Sequence, residues 1–342
     1  MQDQELKLKF TGTGSEYFRI WIVNLVLTIL TLGIYSAWAK VRRMQYFYRN
    51  TQLNNASFDY HATAIDILKG RLIGVALFAA YSITFKLMPI LGLSIGLLIV
   101  LIMPYLLMLS LRFRLYNSSY CGLRFGFSGA VKSAYFAFLV LPIFTLLTLY
   151  LLAPFTHQRI KAYQHNNSRF GQSAFSFNAG AGNFYQVYIF TLMPLLLLVG
   201  LLGFFAALIT KGGAANLPNI ALGTLASFAI ALFILASLFV VPYFISRIQN
   251  LIWNNTQLSG HRFNSTQSAR GLMWIMFSNF VLTVLTIGLF IPFADIRLAR
   301  YRIENMAVIP AGNIDTFIAS EQQQANATGT ETAEIFDVDI GF

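Results

Sequence analysis

Acidic residues are missing from a long central stretch of this chain. Between residues 67 and 294 there are 14 lysines and arginines and no aspartate or glutamate. The intramembrane carboxylates that commonly serve proton- and cation-coupled transport are therefore absent. Cysteine occurs once, at Cys121, which excludes an internal disulfide framework. The four histidines, His61, His157, His165 and His261, lie in connectors, without cysteines or nearby carboxylates, so no metal site is expected. "GTGSE" (12–16) carries no P-loop lysine, and no G-x-S-x-G elbow occurs. No catalytic residue, no cofactor and no enzymatic activity are expected. The start, "MQDQELKLKF", has no apolar core, so no cleavable signal peptide is expected.

Apolar residues dominate what is there. The chain is 56% apolar and 11% charged, with a mean hydropathy of +0.62. Seven apolar stretches, 18–39, 72–88, 90–111, 133–153, 184–210, 218–241 and 271–293, are of a length to cross a hydrocarbon core as helices. A net charge of +11 would suggest nucleic acid in a soluble protein. Here the basic residues flank apolar segments, so anionic lipid head groups are the expected partners, and nucleic acid is not. Carboxylates return only at Asp295 and make the C-terminal end, 311–342, acidic.

The chain also repeats itself. "LTLGIYSAWAKVRRMQY" (30–46) aligns with "LTIGLFIPFADIRLARY" (285–301) at an offset of 255, which places Asn24 on Asn279, Thr28 on Thr283 and Thr31 on Thr286. "LPIFTLLTLYLLAPFTHQRIKAY" (141–163) aligns with 279–301 at an offset of 138. Weaker copies are "VPYFISRIQNLIWNNTQLSGHRF" (241–263) and "LRFRLYNSSYCGLRFGF" (111–127), where Pro104 lies out of step. Arg42, Arg112, Arg159, Arg247 and Arg297 take like positions, mostly with a tyrosine one turn later. Short alternating runs around Asn-Asn, Ser-Gly, Cys-Gly or Phe-Gly predict a β-hairpin after each basic stretch. Residues 1–310 therefore read as one membrane domain, with units near 10–57, 58–124, 125–174, 175–262 and 263–310. Each unit is an apolar helix, a basic extension and a hairpin.

The stretches "FTGTGSEYFRIWIVN" (10–24), "LTLGIYSAWAKVR" (30–42) and "FDYHATAIDILKGRLIG" (58–74) resemble the YjgN family of bacterial inner-membrane proteins. The resemblance covers residues 10–305. It implies a multi-pass protein of a Gram-negative inner membrane and supplies no activity or catalytic residues.

The five arginines can be read as collars for an anion or as plain anchors in lipid head groups; anchoring is the simpler reading. Asn24, Thr28 and Thr31, and likewise Asn279, Thr283 and Thr286, form a polar stripe at helical spacing. Such a stripe bonds neighbouring helices or lines a path, and helix packing is preferred. If all seven segments span, 14 basic residues face one side and 10 the other. If 18–39, 133–153 and 271–293 instead enter and return, 22 share one side against Lys86 and Lys211. Seven spanning helices is the simpler arrangement and the one expected. "ELKLKF" (5–10) and "IFDVDIGF" (335–342) alternate with opposite charge, which suits either a strand pair or two loose tails.

The expected fold is thus an all-α polytopic bundle of about seven apolar helices with small β-hairpins at its rims. Two functions fit it. One is a permease, channel or lipid-handling protein for an anionic ligand; the other is a non-transporting envelope or assembly protein anchored in anionic lipid.

Overall fold

A computed structural model describes residues 5–211 and 219–327. The chain starts with two strand segments, β1 (Leu6–Lys7) and β2 (Lys9–Phe10), and helices α1 (Gly14–Leu30) and α2 (Ser36–Arg49). A hairpin of β3 (Thr51–Leu53) and β4 (Ala56–Tyr60) leads into α3 (Ala64–Leu87) and α4 (Pro89–Tyr116). The next hairpin, β5 (Ser118–Tyr120) and β6 (Leu123–Phe127), precedes α5 (Val131–Tyr135), a π-helical turn Phe136–Val140, α6 (Leu141–Leu147) and α7 (Ala153–Asn166). Then come β7 (Ser168–Phe170), β8 (Ser173–Phe177), α8 (Ala181–Lys211) and α9 (Asn219–Asn254). The chain ends its described part with β9 (Thr256–Leu258), β10 (His261–Ser265), α10 (Ala269–Leu285), α11 (Ile291–Glu304), β11 (Met306–Ile309) and α12 (Ile314–Ala327).

The hairpins do not stay apart at the rims. They join edge to edge in one antiparallel sheet of eleven strands, in the order β1-β11-β10-β9-β8-β7-β6-β5-β4-β3-β2. Leu6 pairs with Val308 and Lys9 with Gln52, so the first strand touches both ends of the sheet and nearly closes a barrel. The all-α bundle is thereby overturned. The physical reason is that a hairpin with three- and five-residue arms is marginal alone and leaves open edges. Joining the hairpins pairs those edges and gives their apolar faces a shared core.

That core is made by every second residue. Leu53, Tyr120, Phe170, Leu258 and Val308 are buried inside the barrel, with Phe58, Phe125, Phe175 and Phe263 packed against them. Two residues further on, Tyr60, Phe127 and Phe177 face the same side but lie beneath the barrel, in clusters with the helix bases. Hairpin turns take their left-handed residues at Asn54, Asn55, Cys121, Gly122, Gly171, Ser259 and Gly260.

Seven spanning helices are not found either. Segments 18–39, 133–153 and 271–293 are each broken by a tight turn. Leu32 and Gly33, Leu149 and Tyr150, and Ile287 and Gly288 have positive φ at these breaks. Before each break a threonine closes the turn. Thr31 Oγ1 bonds Leu27 O and accepts from Tyr35 N at 2.9 Å; Thr286 does the same with Leu282 O and Phe290 N. Thr148 repeats the pattern with Phe144 O and Leu152 N. A helical threonine can bond either backbone neighbour, and here it holds the chain while it reverses. The tips are apolar and bare: Leu32 and Ile287 are each 95% exposed.

Among the described residues three helices are long and apolar enough to cross a membrane: α3, α4 and the Ala181–Phe204 part of α8. Only 11%, 11% and 6% of the residues in their apolar windows are buried by protein. The packed core therefore sits in the barrel and the helix bases, and the apolar arms leave their surface to lipid. Segments 72–88, 90–111 and 184–210 fall within α3, α4 and α8, and most of 218–241 within α9. "IFDVDIGF" (335–342) lies outside the described residues.

Candidate functional site

One connection recurs wherever a helix enters the barrel. Asn50, Asn117, Asn167, Asn255 and Asn305 each donate from Nδ2 to the carbonyl four residues back, at 2.7–3.0 Å. Their own carbonyls accept from Thr11, His61, Ser128, Asn178 and Thr266, one strand end per junction. These asparagines carry no charge and passed unremarked in the sequence, although "NT" or "NS" stands at four of the five places.

Counted back from these asparagines, the arginines realign. Arg42, Arg159, Arg247 and Arg297 each stand eight residues before theirs, but Leu109 takes that place in α4 and Arg112 is three residues out of step. Pro104, by contrast, is in step with Pro154, Pro242 and Pro292, thirteen residues before, where α2 has Ala37; all five are buried. Arg42, Arg112, Arg159 and Arg247 are exposed, and Arg297 is half-buried. The guanidinium groups of Arg42, Arg159, Arg247 and Arg297 lie over Tyr35, Phe155, Tyr243 and Phe290 at 5.1–6.0 Å. The structure does not bring the five arginines together.

The polar stripe is mostly local. Thr28 and Thr31 bond their own helix, as does Thr286. Thr283 gives its carbonyl to Gly288 N at 2.8 Å. Asn279 donates to Ala294 O at 3.2 Å and accepts from Arg297 at 2.8 Å, with Ser278 accepting the second nitrogen at 3.0 Å. Asn24 is buried, and its Oδ1 has no partner among the described residues.

Two adjoining cavities lie elsewhere, and their cations, Arg114 and Lys161, are not among the five repeated arginines. The barrel lumen holds a 190 Å³ cavity walled by apolar side chains, among them Phe58, Phe125, Phe170, Phe175 and Phe263. Beneath it, between α4, α7 and α9, is a 310 Å³ chamber that shares Phe125, Phe175 and Trp253 with the lumen. Arg114, Lys161, Gln164, His165 and Gln249 line the chamber, and among the described residues no carboxylate does. Lys161 Nζ donates to Gln164 Oε1 at 3.1 Å. Burial, and then the nearby Arg114, hold the Lys161 pKa below the usual lysine range. Burial, and secondarily Lys161, push His165 down to about 4, so its ring is neutral at pH 7. Among the described residues neither Arg114 nor Lys161 forms an ion pair. Two like charges, an exposed Arg114 and a half-buried Lys161, line one chamber with no counter-ion among the described residues, which favours an anion there.

The far mouth of the barrel is covered by α12, which had read as part of an acidic tail. Ile318 and Phe317 enter the apolar core. The helix is tied to hairpin turns by polar contacts: Asn54 Nδ2 to Asp315 Oδ1 at 3.2 Å, Gln322 Nε2 to Cys121 O at 2.8 Å, and Gln172 N to Glu321 Oε2 at 2.7 Å. Ala311 N, just before the helix, donates to His261 Nδ1 at 3.1 Å. Among the described residues no three of His, Cys, Asp and Glu gather as a metal site would require.

No solved structure matches this chain. It is 27% identical over 362 residues to the inner membrane protein YjgN of Salmonella typhimurium, an alignment that covers 90% of this chain and 89% of that protein. It is 33% identical to inner membrane protein YjgN of Escherichia coli O157:H7 over 135 residues, 39% of this chain and 34% of that one. The model of the family described as bacterial protein of unknown function (DUF898) matches residues 5–335. A chain with these relatives and with helices apolar enough to span is a bacterial inner-membrane protein, and it belongs to the DUF898 family.

Proposed function

We propose that the protein binds a single-chain anionic amphiphile, with the anionic head between Arg114 and Lys161 and the chain in the barrel lumen. The observation that carries this reading is the adjacency of the two cavities. Two cations without acidic partners among the described residues line a chamber that shares Phe125, Phe175 and Trp253 with a lumen walled by apolar groups. A carboxylate or phosphate would relieve the repulsion between Arg114 and Lys161, and each charge-assisted bond contributes about 1.5–3 kcal/mol. The role is one of binding rather than catalysis. The outward arginines on their aromatic rings suit anchoring in head groups, which supports a lipid-handling protein over a channel.

The same reading takes the chain as five repeated units in a multi-pass arrangement. Hairpins α3–α4 and α8–α9 cross the membrane, and the three broken hairpins enter and return. Lys86 and Lys211 then stand at the far tips, and 22 basic residues share the barrel's side, so the positive-inside rule puts the barrel in the cytoplasm.

Binding of radiolabelled palmitate and dodecyl phosphate to the purified protein tests the site. Replacing both Arg114 and Lys161 by alanine is expected to weaken binding at least tenfold, and Val308→Trp, which fills the lumen, is expected to exclude the chain. Unchanged binding in both variants overturns the proposal.

A further inference from the structure

A third cavity, of 670 Å³, lies between α1, α2 and the first turns of α3 and shares no lining residue with the chamber or the lumen. Its polar walls are Asn24, Thr28, Ser36, Lys40, Arg43 and Arg71. Arg43 is paired with Asp295 at 3.0 Å, and Arg71 donates to Ser36 Oγ. Lys40 has no acidic partner among the described residues. Its pKa is held below the usual lysine range by burial and then by Arg71. Three cations thus meet one acid.

Asn24 lines this groove and is 7% exposed; its Oδ1 is closed to solvent and lacks a hydrogen-bond partner among the described residues. At the matching place in α10, Asn279 Oδ1 accepts from Arg297 at 2.8 Å. The counterpart of that arginine in α2, Arg42, is turned out to solvent over the Tyr35 ring. So α1 keeps the acceptor and has lost the donor that satisfies it, while two cations stand beside it. Sulfate, which carries no hydrogen, would answer the cations and leave Asn24 Oδ1 unpaired. A ligand with a phosphate and an N–H or O–H donor answers both; inorganic phosphate does so through its own O–H but covers no apolar surface. Val23, Val26 and Ile29 on the same helix are exposed, which gives acyl chains an apolar surface beside the groove.

We infer that the α1–α2–α3 groove holds the headgroup of a bilayer phospholipid. Its phosphate diester sits between Lys40 and Arg71, and its ammonium or hydroxyl group donates to Asn24 Oδ1. Ethanolamine and glycerol headgroups have such a donor; choline does not.

The test is native mass spectrometry of the full-length protein in detergent with dioctanoyl phosphatidylethanolamine, phosphatidylglycerol or phosphatidylcholine, and with inorganic phosphate as competitor. The first two lipids are expected to bind at least tenfold more tightly than phosphatidylcholine, and millimolar phosphate is expected not to displace them. Lys40→Met should weaken all three lipids tenfold or more, whereas Lys40→Arg, which keeps the charge, should retain binding and so controls for folding. Asn24→Leu should abolish the preference over phosphatidylcholine. Arg114→Ala with Lys161→Ala should leave these affinities unchanged, which separates this site from the amphiphile chamber. Equal binding of phosphatidylcholine, displacement by phosphate, or an unaltered preference in Asn24→Leu overturns the inference.

Discussion

The Tyr301 hydroxyl accepts from Ser268 N at 2.8 Å and donates to Ser268 O at 2.7 Å, so one side chain at the end of α11 holds the residue that caps α10. Tyr46 makes the same pair of bonds to Thr13 at 2.9 and 3.0 Å, and Tyr163 reaches Ala130 O at 3.3 Å. In each case the two residues are 33 apart. The tyrosine one turn beyond the repeated arginine is a clamp between the two arms of a broken hairpin. Tyr301→Phe removes both bonds and is expected to cost about 1–2 kcal/mol, more than Tyr163→Phe, which loses one long bond. Thermal unfolding of the two variants in detergent checks this; equal or negligible losses contradict it.

The asparagine caps should rank by burial. Asn117 is 6% exposed, while Asn50 is half-buried, and both donate to the last turn of a helix. Asn117→Ala removes the side-chain bond to the Phe113 carbonyl, which keeps its bond from Asn117 N, and is expected to cost about 0.5–1.5 kcal/mol. Asn50→Ala should cost less, because water can replace the lost side-chain bond to the Tyr46 carbonyl. The order of unfolding temperatures is the readout.

Barrel closure through the N-terminus can be tested by crosslinking. Lys7 lies opposite Ala307 in the antiparallel pair of β1 and β11. Cross-strand neighbours place their Cβ atoms about 4.5–5.5 Å apart. Cysteines at 7 and 307, with Cys121 replaced by serine, should crosslink within one molecule under mild oxidation. A protein that crosslinks only between molecules would show the sheet to be open there.

Acid should destabilise the chamber through its histidine. In the folded protein His165 is neutral down to about pH 4, whereas an unfolded histidine takes its proton near 6.5. The unfolded form therefore binds more protons between these values. Stability is full above pH 6.5 and is lost as pH falls towards 4, by at most roughly 3 kcal/mol. Unfolding of His165→Gln should show a flatter profile across that window. His157, also pushed to about 4, leaves a residual slope. A wild-type profile in the variant would exclude this origin.

Glu321 fixes the helix that covers the barrel. It is 4% exposed and accepts from Gln172 N, from Ser173 N at 3.2 Å and from Ser173 Oγ at 2.7 Å. Gly171, at φ +57°, lets the carboxylate approach: a Cβ there would stand 2.5 Å from Glu321 Oε2. Glu321→Ala should weaken docking of α12 by about 2–3 kcal/mol. Amide exchange in residues 314–327 should then rise while the strands remain protected. Unchanged exchange would mean that Ile318 and Phe317 alone hold the helix.

The solvent, the basic surface and the local pieces were legible in the order of the amino acids. Long apolar runs admit only a membrane, and alternation around Asn-Asn or Cys-Gly specifies a hairpin, because both are properties of neighbours in the chain. That order also showed that Thr31 and Thr286 are alike, though not that they close a reversal. That required the two left-handed residues after each, which side-chain spacing does not encode. The barrel was decided by tertiary structure alone. Its strands are two to five residues long, and their partners, such as Phe58 with Tyr120 or Leu6 with Val308, are set by packing of distant hairpins around shared aromatic side chains. The chamber has the same origin. Arg114 and Lys161 lie on different helices at no common spacing, and only the ring of helix ends beneath the barrel turns them towards one another, without a carboxylate between.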